Sequence, residues 1–297
     1  MAVLRGLAEL ERAAHLGHGQ ACNDLAADLR HGRYGPRNRR LSRLWLHRAV
    51  RHHDPLASLA YGEVLWARGH YVQAVGYWRL AAGAGLVEAR LKLALAEEHG
   101  CGLPKNEDAA VAVYADHVDH PLAKRFLGLH CAKRSTDPRP RTSMAWLGKA
   151  ARGGELAAYS DMGDIAWTSL GEIAKALRCY RRGHAKGDVR STVRLAEYSL
   201  KPPRPSERDP KAAAGLLAEA VGQGSARAMY VLAVVRKCGD GLEQDEVEAF
   251  RLCRAAVLRG EEEARRMLAA FYERGVGGLV SKWRAAVLRR NAATPDR

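Results

Sequence analysis

The feature that most constrains this chain of 297 residues is a repeat that recurs along almost its whole length. Each copy has a large apolar or aromatic anchor, small residues three and four places later, often Gly at seven and Ala at eleven. The anchors lie 30 to 37 residues apart, and the pattern stays in phase over eight steps. They are Leu10, Leu46, Trp78, Tyr114, Leu147, Tyr180, Leu217, Cys253 and Trp283. Such a period indicates a tandem array of one supersecondary unit.

A second helix is predicted after the Ala of each copy. Counting that Ala as position 0, a large apolar residue falls at +4 and a small one at +5, as in Ala158, Met162 and Gly163. Positions 0, +4 and +8 share one helix face, and a small residue at +5 allows a neighbouring helix to come close. Each unit is therefore a helical hairpin that buries its apolar stripe by stacking on its neighbours. The predicted fold is an all-α solenoid of about eight hairpins.

The order of residues within the copies resembles the Sel1-like repeats, relatives of the tetratricopeptide repeat. Two copies match the family pattern well, at Ala89, Leu93, Gly100, Gly102, Leu103, Ala110 and Tyr114, and at Ala228, Leu232, Gly239, Gly241, Leu242, Asp245, Ala249 and Cys253. The second and fifth hairpins lack the Gly-x-Gly turn of the pattern. The resemblance implies a right-handed α/α superhelix, and a role in protein–protein interaction rather than catalysis.

The repeat pattern also sets the expected domain organisation. We predict a single solenoid over residues 1–297, because the similarity runs from roughly residue 5 to residue 290. Residues 201–210 form a polar loop insert within it, and residues 281–297 form a C-terminal cap and tail.

Composition narrows the environment in which the chain works. The formal net charge is +15, mostly from Arg, which is compatible with nucleic acid, an anionic membrane surface or an acidic protein as partner. No apolar run approaches the ~20 residues that span a bilayer, and acidic residues occur too early for a secretory signal. The six cysteines form no CxxC pair. We therefore expect a cytoplasmic protein with reduced, buried thiols.

Residues 238–250, CGDGLEQDEVEAF, look at first like a ligand-binding loop. The carboxylates do not follow the ligand positions of an EF-hand, and the Gly-Lys-Ser/Thr of a phosphate-binding loop is missing. Another copy, with Gly102 twelve residues ahead of Tyr114, has the same spacing as Gly241 ahead of Cys253. We predict that these glycines adopt positive φ between two helices and that Asp245 caps the second helix.

Other candidate chemistry is weak. The histidines form two clusters, but none has the spacing of a metal site, and no catalytic triad is marked by its sequence context. Some Sel1-like proteins have been linked to β-lactam hydrolysis, but they resemble secreted forms with paired cysteines in each repeat. We therefore predict no enzyme activity, no metal and no cofactor, and keep hydrolysis as the least favoured alternative.

Residues 30–53 carry the densest run of basic charge in the chain. Arg37, Arg39 and Arg40 are the candidates there for binding nucleic acid or another anionic surface. The alternative interpretation is a solvated turn followed by an amphipathic helix, and it is the one we favour.

Partner binding is expected on the concave face of the solenoid, which the first helices of the hairpins line in this type of repeat. Positions +2, +6 and +9 point away from the buried stripe and carry mostly apolar residues with scattered acids. They predict a protein or peptide partner with apolar and basic side chains. The candidate contacts are Glu63, Trp66, Leu95, Glu98, Asp164, Trp167, Glu197 and Tyr230. Trp66 and Trp167 are either exposed anchors for the partner or, as we favour, rings that fill space where the glycine turn is missing.

Overall fold

The computed structural model describes residues 2–32, 38–133, 139–278 and 280–293. These residues form seventeen α-helices, one 3-10 turn at Pro205–Glu207 and no β-strand. The all-α prediction is therefore confirmed. Within the chain, Met1–Val118 and Asp119–Arg297 form two compact units, called unit 1 and unit 2 below.

The helices of each unit follow one another closely in sequence. Unit 1 contains α1 (Ala2–His15), α2 (Gly19–His31), α3 (Arg39–Arg51), α4 (Pro55–Trp66), α5 (Tyr71–Gly83), α6 (Val87–His99) and α7 (Glu107–Asp116). Unit 2 contains α8 (Pro121–Lys133), α9 (Pro140–Arg152), α10 (Ala157–Thr168), α11 (Ile173–Ala185), α12 (Val189–Leu200), α13 (Pro210–Gln223), α14 (Ala226–Cys238), α15 (Glu246–Val257), α16 (Glu262–Arg274) and α17 (Lys282–Ala293).

From α2 onward the helices pair into hairpins, α2 with α3, α4 with α5, and so on to α16 with α17. We call the even-numbered helices the first helices and their odd-numbered partners the second helices. Each hairpin also packs on the next one within its unit. Each unit is thus a stack of helical hairpins, the solenoid architecture that the repeat pattern predicts.

Seven of the nine anchors are the buried centres of these hairpins. Leu46, Trp78, Tyr114, Leu147, Tyr180, Leu217 and Cys253 are each at most 3% exposed. The small residue at +5 lies directly under the anchor of its own hairpin. A Cβ on Gly163 would be 2.1 Å from Tyr180 Cε1, and one on Gly62 would be 2.4 Å from Trp78 Nε1. The predicted close approach is therefore confirmed, and the helix that approaches is the second helix of the same hairpin.

The Gly-x-Gly segments are turns, as predicted. Gly239 and Gly241 have φ of +70° and +75°, in the left-handed region. A Cβ on Gly241 would lie 2.5 Å from Pro210 Cβ, at the start of α13. The carboxylate of Asp245 accepts a hydrogen bond of 2.8 Å from the Glu248 N–H, which caps α15. The stretch 238–250 therefore turns the chain and starts a helix.

The anchor predicted at Trp283 is wrong. Trp283 lies in the first turn of α17 and is 74% exposed. The buried residue of this helix is Ala285, which occupies the same fourth position in α17 as the buried Ala249 in α15. In α17 the position equivalent to Cys253 is Arg289, six residues after Trp283, and a charged residue at this position does not match the anchor pattern.

No helix among the described residues combines the length and apolar character needed to cross a bilayer.

Candidate functional site

The first helices of unit 2 carry a continuous chain of alternating charges, which we call the charge ladder. It consists of Arg125, Asp161, Arg190, Asp164, Arg194, Glu197, Arg227, Glu261 and Glu263. These residues belong to α8, α10, α12 and α14, and to the N-terminal end of α16. Because successive hairpins stack in the same orientation, equivalent edges of the first helices lie side by side. Charged side chains on neighbouring first helices can therefore form salt bridges.

Near one end of the ladder, two arginines surround a buried carboxylate. Asp161, in α10, is 4% exposed and is paired with Arg125 from α8 and Arg190 from α12, the latter at 3.1 Å. Two cations from neighbouring helices offset the desolvation of one carboxylate. Asp161 therefore ties three consecutive hairpins together.

The middle of the ladder is a forked contact between α10 and α12. Arg194 Nε lies 2.9 Å from one oxygen of Asp164, and its Nη2 donates to the other at 3.1 Å. Asp164 also accepts a hydrogen bond of 2.7 Å from the Tyr180 hydroxyl. Burial, followed by this bond to Asp164, holds the pKa of Tyr180 above its usual value. Arg194 continues the ladder to Glu197, at 3.0 Å.

Arg227 joins the last three carboxylates. Its guanidinium lies 2.8 Å from Glu197, 3.4 Å from Glu261 and 2.7 Å from Glu263. Burial opposes the charged form of Arg227, but the carboxylates outweigh it, so the pKa is raised. Burial also opposes the charged form of Glu261, and for a carboxylate this raises the pKa. The Arg227 guanidinium also lies 5.5 Å from the centre of the Tyr230 ring, a cation–π contact.

A cleft of about 410 Å³ opens over this part of the ladder. Its lining includes Val193 and Ser225 beside the charged residues of α12, α14 and α16. The charged side chains remain accessible in part, with Arg190 52% and Glu263 59% exposed. The surface offers alternating charges at fixed spacing, and they are already held in place by one another.

The structure thus brings together three residues that the sequence singled out. Asp164, Glu197 and Tyr230 are linked through Arg194 and Arg227. Trp167 is half-buried, and its ring meets Tyr198 edge to face at 5.8 Å.

In unit 1 the candidate residues have different surroundings. Glu63 is exposed and pairs with Lys92 at 2.9 Å, and Leu95 is half-buried. Glu98 is 9% exposed and accepts a hydrogen bond of 2.9 Å from the Tyr114 hydroxyl, so its carboxylate faces the hairpin interior.

Trp66 is also half-buried in unit 1, and its ring packs against Tyr71 at 4.7 Å and Trp78 at 5.0 Å. This aromatic packing fits the interpretation of Trp66 as a space-filling ring.

The basic candidates are described only in part. Arg40 is exposed on α3. Arg37 and the side chain of Arg39 lie outside the described residues.

Comparison with known proteins decides the family. The profile of the Sel1 repeat matches residues 19–54, 87–112, 122–155 and 226–261. Each segment begins at or near the start of a first helix and runs into its second helix. The chain is a Sel1-like repeat protein. No curated protein matches the sequence.

Solved structures show the same repeat fold at low sequence identity. A Sel1 repeat protein from Oxalobacter formigenes is 21% identical with a TM-score of 0.59, over 80% of this chain and 100% of that one. An immunity protein from Pseudomonas aeruginosa is 17% identical with a TM-score of 0.54, over 70% of this chain and 82% of that one.

A protective antigen of uropathogenic Escherichia coli with an SLR fold is 20% identical. The match has a TM-score of 0.48 over 97% of this chain, but it spans 64% of that longer protein.

Three of the four arginines of the ladder were missed by sequence reasoning, whereas Arg125 lies at the expected position +2. Arg190 and Arg227 directly precede position 0 of their Sel1 repeats, and Arg194 is at +3, whereas the expected face used +2, +6 and +9. A signal was present, because Arg190 and Arg227 recur at the same place, three residues ahead of Val193 and Tyr230. The expectation of a mostly apolar face with scattered acids therefore missed the charge pattern of unit 2.

In four hairpins, position +2 is also more buried than expected. Leu59, Leu91, Ser160 and Val193 are each at most 7% exposed, whereas Arg266 at the same position is exposed. Among the described residues, no three His, Cys, Asp or Glu side chains converge as a set of metal ligands.

Proposed function

We propose that this Sel1-like repeat protein is a non-enzymatic scaffold that holds a protein partner against its first helices, with the charge ladder of unit 2 at the centre of the contact. The charge ladder is the observation that carries the proposal. The half-buried Tyr230, in cation–π contact with Arg227, supplies aromatic surface beside it, and the half-buried Trp167 follows Asp164 by three residues on α10. Sel1 repeats commonly form protein-interaction scaffolds, which supports the same function.

Stability alone is a poor explanation for the exposed part of the ladder. Ion pairs between solvent-exposed side chains contribute only about 0 to 1 kcal/mol each. The ladder also holds its side chains in place before a partner arrives, which lowers the entropic cost of ordering them on binding. Alternating charges favour partners with the complementary pattern and oppose others, so they confer specificity and register.

The partner that fits this surface is a protein segment with charges of both signs and at least one bulky apolar side chain. A uniformly positive face would favour nucleic acid, whereas here every arginine of the ladder is paired with a carboxylate. Binding of nucleic acid through the exposed arginines of α3 is the alternative. At 17% identity, the likeness to the Pseudomonas aeruginosa immunity protein concerns the fold and does not identify the partner.

The test compares two double variants of the full chain. Arg190→Ala with Glu263→Ala removes two exposed ladder residues and leaves the net charge unchanged. Glu248→Ala with Arg251→Ala is the matched control, because this pair lies on a second helix, with its N–O distance at 3.7 Å. Each tagged protein is used to capture partners from its native host, and the affinity of any recovered protein is then measured by calorimetry.

We expect the ladder variant to bind the recovered partner with an affinity lower on the order of 10-fold or more, and the control to leave that affinity unchanged. Glu63→Arg and Trp66→Ala extend the test to unit 1. Equal affinity for both double variants would contradict the proposal. Salt-sensitive binding of generic RNA or DNA that is lost when Arg37, Arg39 and Arg40 are neutralised would instead support the alternative.

A further inference from the structure

A second cleft, separate from the charge ladder, lies on the second-helix side of unit 2. Its volume is about 730 Å³, within the range of ligand sites. Its lining comes from α11, the C-terminal half of α12, Leu216 of α13 and the polar insert. We call residues 201–209 of this insert the strap. It departs from the Sel1 repeat pattern, and the proposed function gives it no role.

The floor of the cleft is aliphatic. Ile173 and Leu177 from α11, Leu195 from α12 and Leu216 from α13 line it, and all four remain partly exposed. Each of the last three also packs on a buried core cluster, so the floor is rigid. Partly exposed aliphatic side chains at the bottom of a cleft favour an apolar group of a ligand.

The charged part of the lining consists of two arginines and one carboxylate, Arg181, Arg204 and Glu207. Arg181 lines it, is exposed, and forms no ion pair with any described side chain. Arg204 also lines it, and its partner is Glu207 of the same strap, at 3.2 Å. The ladder arginines are all neutralised by carboxylates, whereas Arg181 is not. It is therefore a cation available for an anionic group of a ligand.

Side-chain contacts hold the strap in place beside the cleft. The Tyr198 hydroxyl donates a hydrogen bond to the Glu207 carboxylate, and Arg208 pairs with Asp240. Arg208 Nε also donates to the Leu200 carbonyl at 3.0 Å. Three prolines, at 202, 203 and 205, restrict the backbone further. The cleft is thus formed before a ligand binds.

The spacing along α11 gives the length of the ligand. Ile173, Leu177 and Arg181 are four residues apart and share one helix face. The rise of an α-helix places Arg181 about 12 Å from Ile173. An extended peptide covers about 3.3 Å per residue, so about four residues separate the two ends.

From this geometry we propose that the strap cleft binds an extended peptide segment in which a bulky apolar residue lies three to five positions from a carboxylate. The apolar side chain rests on the aliphatic floor, and the carboxylate, from Asp, Glu or a chain terminus, pairs with Arg181. The high positive charge of the whole chain favours the approach of such an acidic segment. The inference rests on the cleft alone and is independent of the charge ladder.

The test uses a phage-displayed library of random linear peptides, selected on the full-length protein. Enriched peptides are synthesised with a fluorescent label, and their Kd is measured by fluorescence polarisation. We expect a motif of a bulky apolar residue three to five positions from an acidic one. Arg181→Glu removes the cation, and Ala174→Trp fills the cleft, because Ala174 is an exposed residue of its lining.

Two matched controls lie on the same helix and outside the cleft lining, Arg182→Glu and Ala185→Trp. We expect Arg181→Glu and Ala174→Trp to raise the Kd on the order of 10-fold and the two controls to change it little. Circular dichroism verifies that all four retain their helices.

Three results would overturn the proposal. They are the absence of any enriched motif, an equal loss of binding with Arg182→Glu, and unchanged binding with Ala174→Trp. The ladder variant Arg190→Ala with Glu263→Ala is expected to bind these peptides normally, which separates this site from the proposed scaffold face.

Discussion

At the scale of single residues, the close contact between the two helices of a hairpin requires a small side chain, or none, at position +5. Gly163 has no Cβ, and the Tyr180 ring occupies the space that a Cβ would need. The ring's hydroxyl can then reach Asp164. The repeat pattern predicted the small residue, because the pattern records size. It did not predict the hydrogen bond, because Tyr180 and Asp164 are sixteen residues apart and no pattern gives the direction of either side chain.

Gly163→Ala is expected to lower the free energy of unfolding by about 1 to 3 kcal/mol, because the added methyl group overlaps a buried ring. Gly215→Ala, in the exposed part of α13 with no atom within 4 Å of its Cβ position, is the control. It is expected to raise stability by up to about 1 kcal/mol through helix propensity. Urea unfolding followed by circular dichroism measures both, and equal effects would contradict the packing described for Gly163.

We expect the cysteines to differ in chemical reactivity, because they differ in burial. Cys253 is fully buried, and burial raises the pKa of its thiol to about 12. Cys238 is exposed at the end of α14. At pH 8 we expect iodoacetamide to alkylate Cys238 and to spare Cys253 in the folded protein, because the thiolate is the reactive form.

Peptide mapping by mass spectrometry measures the alkylation, and unfolding in urea is the control that makes both thiols reactive. Comparable rates for the two cysteines in the folded state would contradict the burial of Cys253.

At the scale of elements, turns and helix starts fix the register of the repeat. Gly-x-Gly turns were predictable because positive φ and a near approach both require glycine, and the spacing to the anchor repeats. The end of the array was less predictable. The repeat pattern predicts Trp283 as the last anchor, but the start of α17 sets the register, and Ala285 is the buried residue. The start of α17 was marked in the sequence by Ser281, whose hydroxyl accepts a hydrogen bond of 3.3 Å from the Arg284 N–H, but the anchor pattern did not use this capping residue.

Gly241→Ala is expected to be more destabilising than Gly171→Ala. Both glycines have positive φ, so both variants carry the backbone strain of about 1 to 2 kcal/mol. Only at Gly241 does the new Cβ also meet Pro210, whereas nothing lies within 4 Å at Gly171. The difference in free energy of unfolding isolates the contact between the turn and α13. No difference would show that this turn acts through φ alone.

At the scale of the whole molecule, the sequence predicted the all-α solenoid well, because a recurring pattern averages out the errors of each copy. The candidate site was predicted less well. The binding positions were derived from the geometry of a single helix. That derivation took no account of the burial of position +2 in four hairpins, or of the packing of neighbouring first helices, which brings residues at −1 and +3 together. A single solenoid over residues 1–297, a cytoplasmic location and the absence of enzyme activity stay predictions.

The most direct test of the scaffold account is hydrogen–deuterium exchange of the full-length protein with and without its recovered partner. We predict that protection on binding concentrates in peptides from α10, α12 and α14, which carry the charge ladder. Protection confined to α11, α13 and α15, with the first helices unchanged, would contradict the account.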